Sequence, residues 1–294
     1  MIKGIFNPIP TPFVNDEISF EHLKANVKKY AETDLSGIVV LGSNGEFPYL
    51  TFEEKVQMIA AVRAELPSGK KVIAGTGCES TKETIQLTKE AAQAGADAVL
   101  VITPCYFKGS MNEAALTQHY LTVAENSPIP VLLYNMPGNS GINMSSKLVV
   151  KLSAHENITG VKDSSGNIVQ IAEILAGVPA DFSVFAGSGS FLLPSLMLGA
   201  VGGTLAVANV MPNECARIQK LFEQGNLEAA KAEQFRVLPV NAAVTAKYGV
   251  GGLKAAMDML GYFGGEPRKP MLPLTDSAAL ADLRSILQKA GLIA

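Results

Sequence analysis

Histidine and cysteine are both scarce, at three residues of each in 294. Cys78, Cys105 and Cys215 are an odd number in a long chain, which argues against a disulfide framework and for reduced thiols in a reducing compartment. Cys78 and Cys105 each follow an apolar run, so either can be read as a nucleophile or as a buried structural thiol. The histidines, His22, His119 and His155, fall in helical patterns or in the loop entering a strand, so no histidine-ligated metal is expected. Runs of like charge are absent and the formal net charge is -3, so neither nucleic acid nor an anionic membrane is expected as a partner. No apolar stretch reaches the about 18 residues that a bilayer span needs. The N-terminus enters a strand-like run at Ile5 without a charged-then-apolar leader, so a cytoplasmic location is expected.

What is present is apolar substance, 48% of the residues, enough for one barrel-sized domain. Short apolar runs begin near Gly4, Gly37, Val72, Ala98, Pro130, Ile158, Phe182 and Gly203, with helical periodicity between them. Continuous runs such as Ala98-Val99-Leu100-Val101-Ile102 suit parallel strands covered on both faces. Helix starts are signalled by Ser19, by the Thr51 and Glu54 capping pair, and by Ser80 with Thr81; Gly95, Gly177 and Gly199 are read as helix stops. Eight such units predict an α/β fold of the (β/α)8 or TIM-barrel type. A doubly wound sheet would ordinarily carry a glycine-rich first turn, where this chain has Asn7-Pro8-Ile9-Pro10-Thr11-Pro12. The barrel is expected over residues 1–224. Residues 225–294 then form a C-terminal helical appendage, with helices over Leu227–Tyr248, Leu253–Leu260 and Asp276–Ala290, packed on the barrel because no flexible linker precedes it.

In such a barrel the chemistry sits where the strands end. The strand-end residues are Thr11, Gly42-Ser43-Asn44, Gly77-Cys78-Glu79, Cys105-Tyr106, Tyr134-Asn135, Lys162, Gly187-Ser188 and Asn209. Lys162 is the only cation among them, and every other lysine lies in a polar helical pattern or a loop. An amine ending a buried strand loses hydration, which disfavours its charged form and suits it to imine chemistry. The same residue could instead snorkel to water or pair with Asp163. Tyr134, one strand earlier, can relay protons to a substrate held on Lys162, with Tyr106 joining the relay, or either can be a buried core phenol. The turn Gly42-Ser43-Asn44-Gly45-Glu46 can gather backbone N–H groups and the Ser43 hydroxyl on a carboxylate, or can be a plain tight turn. Glu46, Glu79 and Asp163 are read as helix caps or lysine partners in preference to magnesium ligands.

These residues resemble the pyruvate-dependent class I aldolase family that includes dihydrodipicolinate synthase and N-acetylneuraminate lyase. The resemblance covers essentially the whole chain and rests on Gly160-Val161-Lys162-Asp163, on Tyr134-Asn135-Met136-Pro137 and on the Gly42–Glu46 turn. It implies that Lys162 forms a Schiff base with the 2-oxo group of pyruvate and that Tyr134 moves protons. It further implies that Ser43 and Asn44, with Asn139, Ser164 and Gly187, contact substrate, and that a tyrosine matching Tyr106 is lent across a subunit interface. A homo-oligomer, commonly a tetramer built as a dimer of dimers, is implied, with a small 2-oxo acid as the bound partner and no cofactor or metal.

Within the family, Gly42–Phe47, Gly77–Thr81, Thr103–Tyr106 and Asn241–Thr245 are most similar to 4-hydroxy-2-oxoglutarate aldolase of the mitochondrial type. Ser43-Asn44 stands where the synthase pattern usually has a pair of threonines. Asn139 stands where the synthase has an arginine that grips the aldehyde's carboxylate. The expected activity is cleavage of 4-hydroxy-2-oxoglutarate, or a close 2-oxo acid, to pyruvate and an aldehyde such as glyoxylate. The alternatives are dihydrodipicolinate synthase, condensing pyruvate with aspartate semialdehyde, a sugar-acid aldolase or dehydratase, and a non-catalytic sensor of 2-oxo acids.

Overall fold

The computed structural model describes all 294 residues. Eight parallel strands close into a barrel in chain order. They are β1 (Gly4–Pro8), β2 (Gly37–Val40), β3 (Lys71–Gly75), β4 (Ala98–Ile102), β5 (Val131–Asn135), β6 (Ile158–Asp163), β7 (Ser183–Ala186) and β8 (Gly202–Thr204). Each is followed by a helix, α1 (Phe20–Ala31), α2 (Phe52–Glu65), α3 (Thr81–Gln93), α4 (Glu113–Asn126), α5 (Ser146–Leu152), α6 (Ile168–Gly177), α7 (Leu192–Leu198) and α8 (Pro212–Glu223). Every predicted strand is present, with starts within a residue of those expected. The strands read as unbroken apolar runs because both faces are covered. Outward residues such as Val99, Val101, Leu133 and Val161 join a large core shared with the helices. Inward residues Phe6, Val39, Ile73, Leu100, Leu132, Tyr134 and Phe185 belong to a separate cluster filling the barrel.

The helix starts follow the predicted capping chemistry. The Thr51 hydroxyl accepts from the Glu54 N–H while the Glu54 carboxylate accepts from the Thr51 N–H, and Ser80 accepts from the Glu83 N–H. Ser19 differs, because its hydroxyl is engaged with His22 Nδ1 at 2.7 Å instead of capping α1. Gly199 terminates α7 in the left-handed region, but Gly177 is the last residue inside α6. A Cβ on Gly177 would lie 2.6 Å from a Val150 methyl, so that glycine allows close packing of α6 on α5 and does not serve as a stop. A short hairpin, Phe13–Val14 against Glu17–Ile18, follows β1 and was not evident in the sequence.

Beyond α8 come α9 (Leu227–Ala242), a π-helical turn (Ala243–Lys247), α10 (Gly249–Met259) and α11 (Ser277–Lys289). The single helix expected over Leu227–Tyr248 thus changes its winding after Ala242, shortly after Pro239 removes one N–H from the ladder. Val237, Val240, Leu253, Met257, Leu283 and Leu287 from this segment are fully buried in the same core as the barrel helices. No helix is long and apolar enough to cross a membrane.

Candidate active site

The site is assembled at the C-terminal ends of the strands, and its position depends on a register shift. β5 and β6 pair Val131 with Ile158 but Leu132 with Gly160, so Thr159 is an extra residue in β6. Ile158 and Lys162 are four apart and would share a face in a regular strand; the shift puts Ile158 in the outer core and carries Lys162 to the interior. Beyond it Tyr134 pairs with Lys162 and Asn135 with Asp163. A Cβ on Gly160 would sit 2.5 Å from the Ser183 carbonyl and 2.8 Å from a Leu132 methyl, so this inward position below Lys162 accepts only glycine.

Lys162 is 4% exposed, and its Nζ lies 4.1 Å from the Tyr134 ring centroid. Asp163 does not partner it. That carboxylate points outward, is fully buried, and accepts from Asn135 Nδ2 (2.8 Å), Gln170 Nε2 (2.9 Å) and the Ser165 N–H and hydroxyl. Alternation along β6 therefore separates the amine from its sequence neighbour, and the snorkelling reading also fails because the amine is enclosed.

The Tyr134 hydroxyl lies 3.2 Å from Ser43 Oγ. Burial is the largest influence on the phenol and pushes its pKa up. The Lys162 charge, with hydrogen bonding from Ser43, Lys162 and Ser164, pulls the other way and leaves it lowered from its ordinary value. Ser164 Oγ is buried with no other protein partner. Gly187 faces it so closely that a Cβ there would fall 1.9 Å from Ser164 Oγ, which requires glycine at the end of β7.

Ser43 and Asn44 lie in a 3-10 turn after β2, in which the Gly45 N–H donates to the Gly42 carbonyl and the Glu46 N–H to the Ser43 carbonyl. This leaves the N–H groups of Ser43 and Asn44 without a backbone acceptor, the pattern that receives a carboxylate. The turn is bracketed by two non-glycine residues in the left-handed region, Leu41 (φ 63) and Glu46 (φ 58).

Tyr106 is 78% exposed on the loop after β4, and its hydroxyl makes no hydrogen bond within the chain. Asn139 is exposed in a short helical turn, Pro137–Ser140, after β5. Thus one chain brings Lys162, Tyr134, Ser43 and Ser164 together, leaves Asn139 on the rim, and leaves Tyr106 directed outward. The thiolate form is disfavoured at both thiols: burial, then nearby Glu83, pushes Cys78 up to about 12, and burial with Glu79 also raises Cys105.

Glu46 and Glu79 are both engaged. Glu79 accepts the backbone N–H groups of Cys105 (3.0 Å) and Tyr106 (2.9 Å), fixing the loop that bears Tyr106. Glu46 meets Lys254 Nζ at 2.6 Å. That contact corrects the expectation that Lys162 stands alone: Lys254, on α10, is wholly buried. The signal was present, since Val250, Leu253, Lys254 and Met257 fall at the i, i+3, i+4, i+7 spacing of a core-facing stripe. Asn241 and Gln234 on α9 were also not foreseen as neighbours of the mouth. Asn241 Nδ2 donates to the Ser188 and Ser190 hydroxyls (3.1 and 2.8 Å), and Gln234 Nε2 donates to the Gly189 carbonyl (2.6 Å).

A parallel eight-stranded barrel with an enclosed amine at its mouth, a phenol beside it and free N–H groups nearby has the parts for imine chemistry on a small acid. The chain belongs to the dihydrodipicolinate synthetase family, whose model matches residues 1–290, and it is a pyruvate-dependent class I lyase. It is 38% identical over 294 residues to a 4-hydroxy-tetrahydrodipicolinate synthase of Methanothrix thermoacetophila, covering 98% of this chain and 97% of that protein. It is 37% identical over 286 residues to a probable mitochondrial 4-hydroxy-2-oxoglutarate aldolase of Emericella nidulans, covering 95% and 92%. The crystal structure of YagE, a prophage protein of the dihydrodipicolinic acid synthase family from E. coli K12 in complex with pyruvate, matches with a TM-score of 0.92 at 28% identity over 99% of both chains.

Proposed function

We propose that this lyase cleaves 4-hydroxy-2-oxoglutarate, or a close 2-oxo acid, to pyruvate and an aldehyde, glyoxylate in the leading case, through an imine on Lys162. The observation that carries the mechanism is the enclosed Lys162 amine, 4.1 Å from the Tyr134 ring centroid and unpaired with Asp163. The amine attacks carbon 2, and the carbinolamine hydroxyl leaves as water with the proton of the Tyr134 phenol, giving an iminium and a phenolate. As the carbon 4 hydroxyl loses its proton to Tyr134, the bond between carbons 3 and 4 breaks and its electron pair moves into the iminium, releasing the aldehyde and leaving an enamine. Protonation at carbon 3 and hydrolysis return pyruvate and the free amine. Ser43 and Asn44, with their N–H groups, hold the pyruvyl carboxylate, and Ser164, beside Gly187, contacts the bound substrate. Borohydride reduction in the presence of pyruvate tests this: the stable adduct is expected on the Lys162 peptide, and an adduct elsewhere, or none in an active preparation, overturns the mechanism.

The aldehyde partner is argued from Asn139. In the synthases that this chain resembles, an arginine stands there and grips the aldehyde's carboxylate; an asparagine supplies no charged, bidentate contact, a loss of roughly 1.5 to 3 kcal/mol for that grip, and because glyoxylate carries a carboxylate too, the preference rests as well on the Ser43-Asn44 turn and the Cys78 and Cys105 contexts, which resemble the hydroxyoxoglutarate enzyme. The second reading is 4-hydroxy-tetrahydrodipicolinate synthase, condensing pyruvate with aspartate semialdehyde. It is supported by the names of the similar relatives, among which synthases outnumber the aldolase. Side-by-side kinetics decide between them: higher kcat/KM is expected for 4-hydroxy-2-oxoglutarate cleavage, and efficient condensation without cleavage assigns the synthase while leaving the Lys162 chemistry in place.

The same resemblance supports a homo-oligomer, a tetramer of paired dimers, in which Tyr106 completes the proton relay of a neighbouring copy. Its 78% exposure in the single chain, and the hold of Glu79 on its loop, suit that role.

A further inference from the structure

The carboxylate-binding turn is held from the C-terminal helices by one buried ammonium. Lys254 Nζ meets Glu46 Oε1 at 2.6 Å and donates to the Thr11 carbonyl (2.8 Å) and the Glu266 carbonyl (2.9 Å). Each of the first two contacts leads to the turn. Glu46 is its closing residue, in the left-handed region that a non-glycine side chain enters at a cost, and its Oε2 also accepts the Arg268 N–H at 2.7 Å. Thr11 in turn donates its hydroxyl to the Gly45 carbonyl at 2.6 Å. Lys254 Nζ (4.8 Å) and the Arg268 guanidinium (4.4 Å) both lie near the Phe13 ring centroid, while Arg268 grips Glu54 with both terminal nitrogens, at 2.7 and 2.8 Å. An ion pair with side chains 1% and 0% exposed adds little to stability beyond what apolar residues of the same size would supply. What it does supply is a fixed geometry.

We propose that Lys254 is a positioning residue for the substrate carboxylate: through Glu46 and Thr11 it locks the Ser43-Asn44 turn in the conformation that leaves both N–H groups free for the pyruvyl carboxylate. The proposal rests on the reading of that turn given above and extends it to a helix outside the barrel. Without the ammonium, Glu46 is left as an unpaired buried carboxylate beside a strained backbone, and the turn relaxes. Lys162 and Tyr134 are anchored on β6 and β5, outside the turn, and Tyr134 touches it where its hydroxyl lies 3.2 Å from Ser43 Oγ, so the expected defect falls mainly on gripping the carboxylate and less on forming the imine.

Two ligands separate these effects, pyruvate and pyruvamide, which replaces the carboxylate with a neutral amide. In Lys254→Met the pyruvate concentration for half-maximal borohydride trapping on Lys162 is expected to rise about tenfold or more, the scale of one charge-assisted contact, while trapping at saturation and the half-maximal pyruvamide concentration stay near those of the unmodified protein. Glu46→Gln is expected to give the same selective loss, and the double variant to be no worse than either alone, because both changes break one linkage. Equal losses for both ligands, or losses that multiply in the double variant, would overturn the proposal. If Lys254→Met does not fold, Glu46→Gln carries the same test by itself. Calorimetric titration with the two ligands reads the same selectivity without relying on an imine. A protein that binds pyruvate but gives no Lys162 adduct therefore sinks the mechanism proposed above, and the ratio of the two affinities still judges Lys254.

Discussion

At the scale of single residues, Tyr134 carries opposed influences within one side chain. Burial disfavours the phenolate, yet the Lys162 charge and the hydrogen bonds from Ser43, Lys162 and Ser164 together lower its pKa. A phenol so placed passes a proton at lower pH than a free tyrosine does, which suits a relay and not a nucleophile. Tyr134→Phe is expected to lower turnover by about 10²-fold or more while the Lys162 adduct with pyruvate still forms. Normal turnover in that variant would return Tyr134 to a packing role in the barrel interior. The residue types of the site were legible before the fold: a lysine at a strand end, a tyrosine ending the strand before it, and a Ser-Asn turn. Their partners were not legible. Asp163 adjoins Lys162 in sequence but faces the opposite side of the strand, whereas Ser43 lies 91 positions from Tyr134 and only 3.2 Å away in space.

At the scale of elements, the βα units were readable because each strand is an apolar run and each helix carries its own caps. What escaped was the irregular part: the hairpin after β1, the register shift at Thr159, and the π-helical turn after α9. Each departs from a regular period, and a regular period is the signal by which a sequence marks an element. The contact between α3 and α4 has a consequence for acid stability. His119 is 6% exposed, its Nδ1 lies 2.9 Å from the Thr81 hydroxyl, and burial lowers its pKa from 6.5 to about 4. Between those values the unfolded chain binds the proton and the folded chain does not. Stability that is fully present above about pH 6.5 is therefore lost as pH falls toward about 4, by up to roughly 3 kcal/mol. Urea unfolding from pH 4.5 to 7.5 should show this decline in the unmodified protein and a flatter profile in His119→Gln; parallel profiles would remove His119 as its source.

At the scale of the whole molecule, the C-terminal helices act on the mouth from outside the barrel. Lys254 reaches the turn after β2, while Asn241 and Gln234 hold the loop after β7. The proposed exchange of Tyr106 between copies gives a test at this scale. Lys162→Ala and Tyr106→Phe chains are each expected to be nearly inactive. Mixed, dissociated and reassembled, they should recover activity toward about a quarter of the sites, since half of randomly formed pairs are mixed and one site in each is whole. No recovery, with mixed assembly verified, would confine Tyr106 to its own chain.

The sequence by itself determined the barrel, because alternating apolar runs and capped helices encode local structure and their number leaves few ways to cover every strand on both faces. It determined which residue types stand at the mouth as well, because strand ends are marked by the residues that break the apolar runs. Only the tertiary structure decided which faces and which partners: that one extra residue in β6 carries Lys162 inward, that Asp163 is taken up by Asn135 and Gln170, and that Lys254, buried on a late helix, meets Glu46 from 208 positions away in the chain. Side-chain direction in a strand reverses with a single inserted residue, and a long-range ion pair depends on the packing of every element between its partners. Neither leaves a periodic trace in the chain.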